Sequence, residues 1–235
     1  MEYAFPPAWP HGDIQEIFPD VFLVAGAMKL KPAFQFDRNM IILRQDGELV
    51  LVNSVRLTEP GLEQLEALGK VAHVIKLGHF HDRDDAFYVH RYGARLWALP
   101  GHAHAPGLRP DVEMAADTQL PLRDAGLFLF QTAEKPEAIL HLRRHGGILI
   151  ACDSLQNWAS PGPLFNQFSR LAMRLLGFIK PANVGPAWRK STKVRKEDFE
   201  RLQKLSYRHV LGAHGTPVKD TAHEQYGATF ARLFR

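Results

Sequence analysis

The stretch VAHVIKLGHFHDRDDAFYVHRYG, Val71–Gly93, decides how this chain is read. Val71–Leu77 is an apolar run broken only by His73 and Lys76, the length and character of a strand inside a sheet. From Gly78 the pattern changes to His79, His81, Asp84 and Asp85 in quick succession. Asp85–Tyr92 then reads as a short helix stopped by Gly93. A loop between a buried strand and a helix lets the sheet fix side chains that remain accessible. Imidazole nitrogen and carboxylate oxygen together suit zinc, iron or manganese, and close spacing lets one loop supply several ligands. Asp84 also stands at the helix start, where capping and the helix dipole favour an acid, so its role is open between cap and site residue.

Upstream, Ile14–Ile17 and Val21–Val24 flank the turn pair Pro19-Asp20, and Met40–Leu43 and Leu49–Val52 flank Asp46-Gly47, a strong hairpin signal. Thr58 precedes a helix reaching Leu68, with Pro60 in its first turn and Gly69 after its end. Downstream, Leu96–Leu99 is a strand and His102–Asp124 is loop-rich, with His102 and His104 expected at the surface. A second set of strands follows at Leu127–Phe130, Ala138–Leu142 and Ile148–Cys152. Helices are expected over Leu164–Leu176, Glu197–Lys204 and Thr221–Leu233, with a strand at Val210–Leu211. Strands in two blocks, each followed by helices, point to two sheets with helices outside.

Two further polar positions sit at strand ends. Asp153 follows Ile148–Cys152, and a carboxylate after such a run needs a cation or several donors. His214 lies in Gly212-Ala213-His214-Gly215, whose glycines permit a tight turn aiming the ring inward. Each has a plainer use, as a turn or cap residue. Cys152, the only cysteine, reads as a small core residue and gives no disulfide.

The 235 residues, 46% apolar and 23% charged, have the composition of an ordinary globular domain. No run approaches a membrane span, and the start of the chain lacks a secretory pattern, so the cytoplasm is the expected compartment. The net charge of +4 is uneven: Pro163–Lys204 holds ten Lys or Arg against three Asp or Glu. Such a block attracts anions, but no nucleic-acid motif accompanies it, and none is expected as a partner. Leu164, Phe168, Leu171, Leu175 and Ile179 recur at helical spacing. That stripe is expected to pack on a sheet or on a homodimer partner through 164–179. Residues 160–196 could also cap a pocket, with Trp188, Arg189 and Lys190 touching a small-molecule substrate.

Taken in order, His79–Asp85, Cys152-Asp153 and Ala213-His214-Gly215 resemble the metallo-β-lactamase-like superfamily. That family carries an HxHxDH loop, a Gly-Asp after a buried strand and a late Gly-His-Gly. The resemblance runs from about Ile14 to Leu233. It implies one domain over 1–235 with an irregular arm at 1–12, folded as a four-layer αββα sandwich of two mixed sheets with helices outside. It also implies hydrolysis of an ester, thioester, lactone or phosphoester by a metal-activated water. The implied ligands are His81, Asp85, Asp153 and His214, with His79 as a further or supporting ligand and Asp84 orienting or deprotonating the water.

The departures from the family pattern are specific. Arg83 and Asp84 stand where Asp and His belong, and one inserted residue after His81 restores the register onto Asp84 and Asp85. The middle histidine expected near 130–137 is absent, leaving Glu134 or Glu137 as stand-ins. Asn53 stands where the family often has Asp. One divalent ion is therefore expected rather than two, zinc first, with iron or manganese as alternatives. Two other readings stay open: a metal-free binding protein in which Arg83 takes the cation's place, and an iron-dependent oxidoreductase.

Overall fold

The structure, a computed structural model, describes residues 5–31 and 33–235. Four antiparallel strands open it: β1 (Gln15–Phe18), β2 (Val21–Lys31), β3 (Phe34–Gln45) and β4 (Glu48–Val52). Asp46 and Gly47 join β3 to β4 with φ of 55° and 80°, the left-handed conformations that a two-residue hairpin turn requires. Helix α1 (Glu59–Leu68) then crosses over to β5 (Lys70–Lys76), and α2 (Asp85–Tyr92) to β6 (Arg95–Ala98). With β7 (Val112–Glu113) these strands extend the sheet in parallel, giving seven strands in sequential order.

The second sheet contains β8 (Ala125–Leu129), β9 (Ala138–Leu142) and β10 (Ile148–Ala151). A short pair, β11 (Leu155–Gln156) and β12 (Asn183–Val184), brackets α3 (Gln167–Leu175). Helices α4 (Pro186–Thr192) and α5 (Lys196–Leu202) follow, then β13 (His209–Gly212) and α6 (Ala222–Leu233). β13 pairs in parallel with β10, so the second sheet runs β13-β10-β9-β8 and is mixed, like the first.

Alternation along the strands builds three stacked cores. Ile41, Leu43, Val50 and Val52 face inward against Leu140, Ile148 and Ile150 of the second sheet. Met40, Ile42, Leu49 and Leu51 face the other way, onto Leu62 and Leu65 of α1 and Phe87 and Tyr88 of α2. On the far side, Ile139 and Leu149 pack with Trp188, Phe199 and Phe230 of the later helices. Helix, sheet, sheet and helix form four layers, as the sequence leads one to expect.

The differences are local. Residues 5–12 of the expected irregular arm carry no helix or strand beyond a bridge between His11 and Gly26; residues 1–4 lie outside the described residues. β2 and β3 extend well past their apolar cores, because long antiparallel pairing tolerates polar residues such as Asp37, Arg38 and Asn39. Helix α3 begins three residues later than expected, and Asn166 caps it by accepting from the Ser169 amide at 2.8 Å. The expected packing of its stripe on the sheet is not found: Ser169 and Met173 are its buried residues, while Phe168, Leu171 and Leu175 stand exposed. No helix among the described residues is long and apolar enough to cross a membrane.

Candidate metal centre

Three strand ends meet at one edge of the sandwich. β5 leads to His81, β10 to Asp153 and β13 to His214. Close approach requires Gly78, since a Cβ there would lie 2.6 Å from Sγ and 2.8 Å from Cβ of Cys152. Gly215, with φ of 87°, lets the chain after His214 pass within reach of the Asn157 carbonyl. Two asparagines tie the sheets together here. Nδ2 of Asn39 donates to the Gly212 and Gly215 carbonyls at 3.0 and 2.6 Å, and Nδ2 of Asn53 donates to the Ala151 carbonyl at 3.0 Å.

The three side chains converge on a common point. Oδ1 of Asp153 lies 3.1 Å from Nε2 of His81 and 3.1 Å from Nε2 of His214, and the two Nε2 atoms are 3.2 Å apart. All three residues are nearly excluded from solvent. Burial alone would raise the Asp153 carboxyl, but His81 and His214 outweigh it and hold the group well below its usual range. Burial pulls His81 down to about 4, against the opposing pull of Asp153.

The donor set fits a metal ion. Nδ1 of His214 faces the Asp37 carbonyl at 3.2 Å; a carbonyl only accepts, so Nδ1 donates and the tautomer with its proton there turns a lone pair inward from Nε2. That lone pair and the Asp153 oxygen are both acceptors, and a metal ion or a proton between them makes their approach favourable. The separations are close to the edge of a tetrahedron with bonds of ~2.0–2.1 Å, which is about 3.3 Å. His81, Asp153 and His214 form a cluster of the size that holds an ion.

None of the other residues singled out from the sequence belongs to this cluster, although His79 and Trp188 line the same cavity as its three members. Asp84 accepts from Nη2 of Arg38 at 3.1 Å and also pairs with Arg83, and it makes no side-chain cap to α2. Asp85 is buried and accepts from the Ser54 hydroxyl at 2.6 Å; its second oxygen has no hydrogen-bond partner among the described residues, and burial raises its pKa. His79 is half-buried, with its ring 6.3 Å from that of His102. Glu134 is exposed and pairs with Lys193, whereas Glu137 is buried beside Gly78 and Cys152. Burial and the nearby Asp153 raise the Glu137 carboxyl well above its ordinary value. Trp188 is buried, 4.9 Å ring to ring from Phe130; Arg189 and Lys190 are exposed on α4. His102, expected at the surface, is buried instead, and its Nε2 meets a partner there by donating to the Pro136 carbonyl at 3.0 Å.

Arg38 is the residue that sequence reasoning passed over. Its Nη1 lies 3.3 Å from Nδ1 of His81, and its Nη2 reaches both Asp84 and the Ser54 carbonyl. The signal was present as Asp37-Arg38-Asn39, a polar triplet running into Met40–Leu43, and all three are at most 5% exposed. A guanidinium only donates, so it favours a bare Nδ1 on His81 and a proton on Nε2. An ion bound at Nε2 needs the opposite tautomer, and Arg38 opposes that shift.

Beside the cluster opens a cavity of about 560 Å³. His81, Asp153 and His214 lie in its wall with Phe34, Phe36 and Trp158, whose ring is 4.9 Å from that of His214. Met173, Phe178 and Trp188 add further apolar surface.

No family model matches the chain, and no curated protein does. Solved structures do match. The metallo-β-lactamase DIM-1, exposed to ceftazidime, superposes with a TM-score of 0.64 at 13% identity, over 97% of this chain and 98% of that one. FIM-1 from Pseudomonas aeruginosa, in its mono-zinc form, gives 0.64 at 13% identity, covering 98% and 99%. A metallo-β-lactamase from Pontibacter korlensis gives 0.62 at 15% identity, covering 93% and 98%. The chain has the metallo-β-lactamase fold.

Proposed function

We propose that this chain is a metal-dependent hydrolase acting on an ester, thioester, lactone or phosphoester through one divalent ion, zinc in the first place. The convergence of Nε2 of His81, Oδ1 of Asp153 and Nε2 of His214 within 3.1–3.2 Å of one another carries the reading. Three protein ligands with an open side toward a cavity is the pattern of a catalytic rather than a structural site. When bound, such an ion supplies Lewis acidity and a nucleophilic water at neutral pH.

The remaining chemistry belongs to the chain. His81, Asp153 and His214 hold the ion, and the Asp37 carbonyl fixes the ring of His214 by accepting from Nδ1. Asp84 is neutralised by Arg38 and Arg83, and that pairing limits the site to a single ion. The apolar wall of Phe36, Trp158 and Phe178 excludes water from the side on which a substrate's apolar portion would lie.

A second reading has its own observation. Arg38 against His81 and Asp84 supplies a built-in cation, as a metal-free binding protein of this fold would need. Elemental mass spectrometry of the untagged protein separates the two. About one equivalent of zinc or manganese, lost in His214→Ala, supports the hydrolase; no metal after incubation with these ions sinks it.

A further inference from the structure

The large apolar side chains that stand exposed among the described residues are Leu30, Phe80, Phe168, Leu171, Leu175 and Leu176. They gather in one region. Leu30, Phe80 and Leu176 border the cavity, and Phe168 stacks edge-on against Phe34 of the cavity wall at 5.9 Å. Leu171 and Leu175 follow Phe168 at helical spacing, so α3 turns one apolar face to the protein through Met173 and another to solvent. Phe168, Leu171 and Leu175 are 58%, 63% and 79% exposed, an arrangement unfavourable in water unless something covers it.

The surrounding charge selects what covers it. From Ser154 to Lys196 the chain carries eight Lys or Arg and no Asp or Glu. Arg174 and Lys180 flank the stripe, are exposed, and have no acidic partner among the described residues. A second copy of the chain seated two-fold on this face would bring these cations against their own equivalents. An apolar helical face bordered by unpaired cations instead complements an anionic lipid surface, into which such helices lie flat.

We propose that the α3 face seats this chain on an anionic lipid surface, and that the cavity behind it takes the hydrocarbon chain of a lipid ester drawn from that surface. The substrate half rests on the hydrolase reading of the same site; the docking half does not. Leu30 and Leu176 are both exposed and both line the cavity, so they offer an acyl chain apolar surface between stripe and cavity. The cavity of about 560 Å³ is within the range of small-molecule sites, and its metal-ligand wall would meet the head end of such a molecule.

The test is flotation of the purified protein with phosphatidylcholine vesicles, with and without phosphatidylglycerol. Binding is expected only with the anionic lipid and is expected to weaken as salt rises. Leu171→Glu/Leu175→Glu and Arg174→Glu/Lys180→Glu should each reduce it about tenfold or more with unchanged melting temperature. Quenching of tryptophan fluorescence by a brominated long-chain fatty acid reports entry to the cavity, where Trp158 and Trp188 line the wall. Quenching is expected in the wild type and in His81→Ala, and is reduced in Leu176→Arg. No vesicle binding by the wild type overturns the docking, as does a dimer in sedimentation that the Leu171/Leu175 variant dissociates. Absence of quenching overturns the chain-binding cavity. Neither readout needs metal or turnover, so this inference and the hydrolase reading fail separately.

Discussion

Arg38 and Asp84 form a buried ion pair, Nη2 to Oδ2 at 3.1 Å, with the side chains 4% and 5% exposed. Arg83 completes the neutralisation of Asp84 from the other side. A carboxylate held by two guanidinium groups is poorly placed to serve as a ligand or a base, which is why the proposed ion falls to His81, Asp153 and His214. Removing one partner from a buried pair costs about 3–5 kcal/mol.

Metal content should separate these groups. Asp153→Asn and His214→Ala are expected to lower affinity for zinc at least about tenfold, whereas Asp84→Asn keeps one equivalent. Elemental analysis after dialysis against graded chelator reads the difference. Equal loss in all three variants would place Asp84 among the ligands.

Arg38→Gln exchanges a group that only donates for one that also accepts from Nδ1 of His81. The ion-binding tautomer is then favoured, and affinity should rise by about tenfold, the lower end of what outer partners of metal ligands contribute. The apoprotein should unfold more easily, by roughly 3 kcal/mol, because Asp84 loses a partner. Chelator competition on folded protein checks the first effect and urea melts the second. Lower affinity would mean that Arg38 positions His81 for the ion rather than opposing it.

Gly78→Ala puts a methyl 2.6 Å from Sγ and 2.8 Å from Cβ of Cys152. Overpacking of this kind costs about 1–3 kcal/mol. Cys152→Ala removes the sulfur and leaves Cβ, so the double variant should recover part of the loss. A double-mutant cycle with no coupling would show that the strand ends separate instead.

Stability should fall with acid through His102. Burial lowers this imidazole from 6.5 to about 4, so between those values the unfolded chain binds the extra proton and the folded chain does not. Its contribution is complete above pH 6.5 and is lost as pH falls toward 4, by up to about 3 kcal/mol. His102→Gln keeps a donor for the Pro136 carbonyl but does not titrate. Urea melts at several pH values should show a flatter acid limb for the variant; parallel limbs would assign the loss to other groups.

The sequence by itself determined the layers. Near-continuous apolar runs such as Met40–Leu43 and Ile148–Ala151, bounded by turn signals, read as strands covered on both faces, and α1 and α2 are marked by the glycine stops Gly69 and Gly93. It also marked His81, Asp153 and His214, each in a loop after a buried strand, but only the family resemblance joined them into one ligand set, and that set also held Asp85 and His79. What sequence could not fix was which polar residues meet. Asp84 and Asp85 follow His81 within a few positions, yet backbone direction sends one to Arg38 and Arg83 and the other to Ser54. His81 turns toward the cluster through a left-handed backbone, φ 67°. The α3 stripe was legible as amphipathic, but amphipathicity gives a face and not its partner. Only the tertiary packing decided that Phe168, Leu171 and Leu175 point to solvent: Ser169 takes the Gln35 amide of β3 and Met173 packs with Phe36, Trp158 and Phe165, so that face of α3 is the one turned inward.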